Sequence, residues 1–445
     1  MRGIRPIVVC LLAATLGACA SNYPTRTVSY DETAIDRPTI PPSEAELLSV
    51  RIEAFEPGVL PEDKDVAKGL SPDIRKAEAY YIPVQLKSTM QKSGHWGPAR
   101  VVPRGSRGGE VIVSGKIQAS DGEILKLEIT VKDATGAEWF TMEYESVIDD
   151  KAYLKAEQGN VDPFQDLYNQ IANDIAAHKK TLKPAEASAI RQVAELRFGA
   201  EFAPQVYDAY LQRRPAPLRE RGDLRRLIAF FHAGAGDGAQ VPVYSVVRLP
   251  AEDDPIVQRV NRIRVREEFL VDTFDEQYDG LARGVGDAYT NWRSSRFKEI
   301  TAIRTADEVK NAETAKGIAV GVLAVLAGAA IASQGGSSCY GCGTAGVLVA
   351  GAGVAIGAQM AIKASEQASA ETKLRQAALE ELGHSLVADV RPTVIEVEGK
   401  TFELKGTIEE KFQAWRQVLK ELYESENTPL GVTPSPSGIP VTPTS

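Results

Sequence analysis

The chain has 445 residues, too many for one ordinary core, so more than one domain is expected. Hydrophobic residues make up 43%, which excludes a disordered chain, and 51 basic against 60 acidic side chains give a formal charge of −9, which argues against general nucleic-acid binding.

Residues 1–18 read as a leader. Arg2 and Arg5 supply a positive start, and IVVCLLAATLGA is a short apolar run closing in small residues. Leu16-Gly17-Ala18-Cys19 resembles the lipobox of bacterial lipoproteins. The resemblance implies cleavage before Cys19, lipidation of that cysteine and, with Ala20 rather than aspartate after it, sorting to the outer membrane with the body facing the periplasm. Several acyl chains anchor stably where one is marginal. Residues 19–43 are polar, proline-dotted and aperiodic, and read as a lipidated tether.

Residues 44–183 read as an α/β domain in the order β-α-β-β-β-β-α. LLSVRIEAF is a strand, and AEAYYIPVQLKSTMQKSG is a helix ending at Gly94, with Pro83 at its first turn or kinking it. Four strands follow in WGPARVVP, GEVIVSGKIQAS, EILKLEITVKDA and EWFTMEYESVI. Arg107-Gly108-Gly109, Asp121-Gly122 and Thr135-Gly136 mark their turns, which suggests an antiparallel meander. The closing helix is expected to begin near Asp162-Pro163, with Asp162 as its cap and Pro163 at its first helical position. This order, with SGHWGPARVVP after the helix and VIVSGKIQASDGEILKLEITVKD as paired strands, resembles envelope modules of bacteria. Among them are auxiliary lipoproteins of ABC transport systems, penicillin-binding-protein activator lipoproteins and the N-terminal domain of the Tol-system propeller protein. What that implies is a protein-docking module, with no catalytic residues to carry over.

Residues 184–299 read as mainly helical, with a strand at VPVYSVVRLP and one or two long helices opened by Asp254-Pro255. RRPAPLRERGDLRR, from Arg213 to Arg226, is either a solvated turn or a surface for lipid phosphates, lipopolysaccharide or an acidic partner. Phe269, Phe274, Tyr278, Tyr289 and Trp292 fall near helical spacing and are expected in the core.

Residues 300–389 read as an antiparallel helical hairpin with an apolar tip at 317–362. Its two apolar segments are each about the lower limit for a spanning helix, roughly 17 residues. Gly317 and Gly321, Ala324 and Gly328, and then Gly353, Gly357 and Ala361 recur at four-residue spacing, which lets two helices approach closely in the manner of a glycine zipper. The tip is expected to insert in a membrane or to self-associate as a homo-oligomer; the alternative is a hairpin packed inside a soluble fold. Cys10 leaves with the leader and Cys19 is taken by lipid, so Cys339 and Cys342 are the thiols left. In an oxidising periplasm a disulfide between them leads, with a reactive pair or free thiols as alternatives.

Residues 390–423 read as a β-hairpin plus a helix opened by the Thr407/Glu410 capping box, and residues 424–445 as a disordered tail. The fold class is therefore α+β. The four histidines (His95, His178, His232 and His384) show no metal-binding spacing, and no nucleophile elbow or phosphate loop appears. The expectation is a non-enzymatic protein without cofactor or metal. It would be a structural or assembly component of the envelope with unidentified protein partners, or alternatively an auxiliary lipoprotein that activates or steadies an envelope enzyme or transporter.

Overall fold

The computed structural model describes residues 23–29, 33–60, 70–106, 108–159, 161–214, 243–251, 253–314, 352–388, 393–397 and 400–426. It is an α+β protein. The strands of the main sheet are β1 (Thr25–Val28), β2 (Val50–Glu53), β3 (Ala99–Val102), β4 (Val111–Ser120), β5 (Ile124–Asp133) and β6 (Glu138–Val147). They lie in the order β1-β6-β5-β4-β2-β3.

Only β4, β5 and β6 form the expected antiparallel meander. β2 runs parallel to both β3 and β4 and separates them, so four successive strands do not lie side by side. The cause is the helix between β2 and β3, α1 (Pro72–Ser93), whose length makes a crossover and returns the chain parallel. Helix α1 starts well before the expected stretch, with the Ser71 hydroxyl accepting from Ile74 N–H and Pro72 in the first turn. Pro83 therefore sits in its interior, and Gly94 closes it at φ 74°. Strand β5 alternates as its sequence does, with Leu125, Leu127, Ile129 and Val131 fully buried.

The stretch read as a tether is partly structured. β1 pairs with β6 in parallel, Thr25 facing Glu143 and Val28 facing Ser146. Downstream, Asn169 and Asn173 donate their side-chain amides to the Thr33 and Ala34 carbonyls, and Asp36 meets His95 (2.9 Å) and Lys180 (2.5 Å). Side chains of the body hold this strip down, and its own sequence has no periodicity to announce it.

Helices α2 (Asp150–Gly159), which the sequence reading lacked, and α3 (Gln165–Lys180) follow the sheet. Pro163 lies before α3 rather than in its first turn. Next come α4 (Pro184–Phe202), the short α5 (Pro204–Tyr207) and the ribbon β7 (Leu211–Arg214) with β8 (Val243–Val246). A single 60-residue helix, α6 (Pro255–Thr314), then crosses the boundary expected at 299/300. Asp254 caps it, its carboxylate accepting from Ile256 N–H. Helix α7 (Ala352–Ala388) returns beside it; the Thr372 hydroxyl donates to the Ser295 carbonyl, and Ile303 lies opposite Ser365 to Lys373, so the two arms are antiparallel.

Strands β9 (Thr393–Val397) and β10 (Lys400–Leu404) form the small hairpin, and α8 (Ile408–Ser425) opens with the Thr407/Glu410 box and runs just past the expected end. Its apolar face (Phe412, Trp415, Leu419 and Leu422) is buried, with Phe412 edge-on to Phe274 of α6. Phe274, Tyr278, Tyr289 and Trp292 are core residues, whereas Phe269 is 64% exposed, one turn on from Val265 at 70% on an open face of α6.

Candidate functional site

Helix α6 carries acidic residues along the flank that meets the sheet domain: Glu267, Glu268, Asp272, Asp275 and Asp279. Each finds a base there. Arg51 of β2 reaches Glu267 (3.4 Å) and Glu268 (2.6 Å). Arg100 of β3 pairs with Asp272 and Glu268. Lys87 of α1 sits between Asp275 (2.8 Å) and Asp279 (2.6 Å). Asp275 also accepts the Val101 N–H at 2.7 Å, which satisfies a donor on the outer edge of strand β3. Burial raises the Asp275 carboxyl despite Lys87.

Further along α6 the contact becomes fully buried. The Arg293 guanidinium forks onto Asp162, at 3.1 and 2.7 Å, and Asp162 also accepts the Tyr81 hydroxyl at 2.9 Å. The cation lies 4.3 Å from the Tyr289 ring centroid, with Tyr81 and Phe164 at 5.6 and 5.7 Å. Glu78 takes hydrogen bonds from Tyr289 (2.9 Å), Ser120 (2.5 Å) and Arg75 (3.2 Å). Burial, followed by the Asp162 charge, raises the Tyr81 hydroxyl and keeps it a neutral donor. Beyond this, Arg304 grips Glu123 with two contacts, at 2.9 and 2.7 Å.

What these groups do chemically is hold a long helix at a fixed angle to a sheet. Removing either partner of a buried pair strands the other charge, so the arm is clamped rather than hinged along this length. Among the described residues no cluster of histidine, cysteine or carboxylate could hold a metal, and no helix is long and apolar enough to cross a membrane. A shallow groove between the arms, lined by Ile303, Ser365, Glu366, Ser369, Ala370 and Lys373, has no convergent buried polar groups.

The residues singled out from sequence are not gathered at this clamp. Cys19, Gly317, Gly321, Gly328, Cys339 and Cys342 lie outside the described residues, and Gly353 and Gly357 fall on the first two turns of α7. The clamp residues escaped notice because each looks like ordinary surface charge in sequence. Asp162 alone carried a signal, as the expected cap of the closing helix; that helix instead begins at Gln165 with Phe164 in the cap position, and the Asp162 carboxylate accepts the Phe164 N–H ahead of it while taking Arg293.

Glu267 is the clamp's titratable point. Arg51 and, from α8, Arg416 (2.5 Å) face it, Glu268 adjoins it on α6, and Glu201 of α4 shares Arg416. Burial pushes its carboxyl up to about 7, against the pull of Arg51. A raised folded-state value means the folded chain holds the proton longer. The group's contribution is complete below the ordinary glutamate range and is lost as pH rises through about 7. Wild-type stability minus that of Glu267→Gln should therefore fall by roughly 3 kcal/mol between pH 4.5 and 7.5 in urea titrations. A flat difference would mean that the two arginines keep the carboxylate charged throughout.

Fold and contacts together define a mixed α+β body with a clamped helical arm. No family model, curated protein or solved structure matches this chain.

Proposed function

We propose that the chain is a non-enzymatic outer-membrane lipoprotein, a structural or assembly component of the cell envelope that presents a rigid helical hairpin. One combination supports the reading: a lipobox ending at Cys19 stands a few residues before a domain to which a 60-residue helix is clamped by the buried Arg293–Asp162 pair. An arm fixed in this way transmits position, which suits a spacer or docking element. Its small-residue tip, with Gly317, Gly321, Gly328, Gly353 and Gly357, is the part we assign to insertion or self-association, and Cys339 with Cys342 to a disulfide within it.

Cys19→Ala tests the anchor. The variant should stay unprocessed or leave the outer-membrane fraction of a sucrose gradient. A variant that fractionates and migrates like wild type would exclude lipidation at this residue.

A further inference from the structure

The sheet has two poles. At one, β4 ends, β5 begins and β6 ends, around Gly122; at the other, β5 ends and β6 begins, around Gly136. Helix α6 climbs from the second to the first. Glu267 meets Arg51, whose strand pairs with the start of β4; Tyr289 meets Glu78, which binds Ser120 at the end of β4; Arg304 meets Glu123. The helix continues ten residues past Arg304, so the hairpin projects beyond the Gly122 pole.

Strand β1 runs in the same sense as β6, toward Gly122, so the chain before Thr25 comes from the Gly136 side. Cys19 is six residues before Thr25, a reach of at most about 22 Å, while Thr25 stands about 17 Å along the strands from the start of β6. That reach is enough for the acyl chains proposed for Cys19 to enter at the Gly136 pole, opposite the hairpin.

That same pole carries a basic and aromatic surface. Tyr244 of β8 donates its N–H to the Thr135 carbonyl (2.7 Å), and Arg197 of α4 donates to the Ala134 carbonyl (2.6 Å), which fixes the β7–β8 ribbon on the β5–β6 turn. Arg197 and Arg213 lie over the Tyr244 ring at 4.6 and 5.6 Å, and Arg248 lies over Tyr210 at 5.2 Å. Arg213 and Arg214 are exposed, and Val247 and Leu249, at 60% and 55% exposure, flank Arg248. Asp208, 3.8 Å from Arg213, Glu138 at the start of β6, and Asp253 and Asp254 just after Leu249 are acidic groups at the same pole, and Arg213, Arg214 and Arg248 are all exposed beside them. Guanidinium groups beside tyrosine and aliphatic side chains match the headgroup layer of a bilayer, where phosphates and the upper acyl carbons meet.

We infer that the β7–β8 ribbon, through Arg213, Arg214 and Arg248 with Val247 and Leu249, is a second membrane contact. It seats the body on the anionic phospholipids of the anchoring leaflet and points the hairpin away from it. The leaflet named rests on the lipoprotein reading above; the binding itself does not.

The test uses the full mature chain with Cys19→Ala, made without lipid, and phosphatidylcholine vesicles with and without phosphatidylglycerol. Flotation should show binding that requires phosphatidylglycerol, falls with added salt and resists inorganic phosphate. Each basic side chain near an anionic surface contributes about fivefold, so Arg213→Gln, Arg214→Gln and Arg248→Gln together should weaken binding about a hundredfold. Val247→Ser with Leu249→Ser, which leaves every charge in place, should weaken it further. With Cys339 and Cys342 changed to serine, a dye introduced by Gln212→Cys should transfer energy to labelled headgroups, while one introduced by Thr305→Cys, roughly 45 Å up the body, should not. Binding that is equal on neutral vesicles, is indifferent to the arginine changes, is abolished by phosphate, or brings Thr305 nearer the lipid than Gln212 would overturn the proposal. Because Cys19 is absent from this protein, failure here leaves the anchor untouched, and loss of the anchor leaves this binding measurable.

Discussion

Arg293→Ala is expected to remove about 3–5 kcal/mol of stability, the range for stranding one half of a buried ion pair. Both side chains are essentially inaccessible, at 0% and 1% exposure, so water cannot replace the lost fork. Asp162 would keep the Tyr81 hydroxyl and the Phe164 N–H but no cation, and the three rings around the guanidinium would line a void. Arg293→Lys should recover little, because a point charge cannot bond both carboxylate oxygens and lie flat on Tyr289 at once. A double change, Arg293→Met with Asp162→Asn, should be milder than either single change to alanine. Urea unfolding of the wild type, Arg293→Met, Asp162→Asn and the double variant closes a double-mutant cycle. Coupling under about 1 kcal/mol would show that the pair does not clamp the helix.

How far the fold could be read in advance varied with the kind of signal. Strand β5 and helix α8 were legible because period-two alternation and a capping box are local properties. The capped start of α6 at Asp254-Pro255 and the Gly94 stop of α1 were legible for the same reason. Pairing was not. Nothing in WGPARVVP says that β2 will insert between it and β4, since parallel strands are joined through a distant helix rather than a turn. β1 is a four-residue edge strand whose partner lies more than a hundred residues away, and three of its residues are exposed, so it carries no hydrophobic pattern. The clamp is hidden by a similar difficulty: Asp162, Glu267 and Arg293 sit among many like residues, and only burial distinguishes them. The arginine-rich stretch was noticed for its composition. What the fold adds is its start, Arg213 and Arg214, on the pole from which the N-terminal strand rises.

Gly122→Ala should cost about 3 kcal/mol or more, although it adds a single methyl group to an exposed-looking hairpin turn. Two effects combine. Gly122 has φ 93°, where a side chain costs about 1–2 kcal/mol. An added Cβ would also lie 2.5 Å from the Arg293 carbonyl oxygen and 3.3 Å from the Arg296 Cβ, so the helix itself would have to move. Neither neighbour is the free end of a flexible side chain. Backing α6 away would stretch the Arg293–Asp162 fork just described and the Arg304–Glu123 pair beyond it. Gly105→Ala supplies the comparison: its φ is 72°, but nothing stands within 4 Å of a Cβ there, so it should cost only the backbone strain. The excess of the first substitution over the second, read from paired urea titrations, measures how tightly the turn seats the arm. Equal costs would mean that α6 yields at Gly122, and a helix that yields there cannot hold the hairpin at a fixed angle to the sheet.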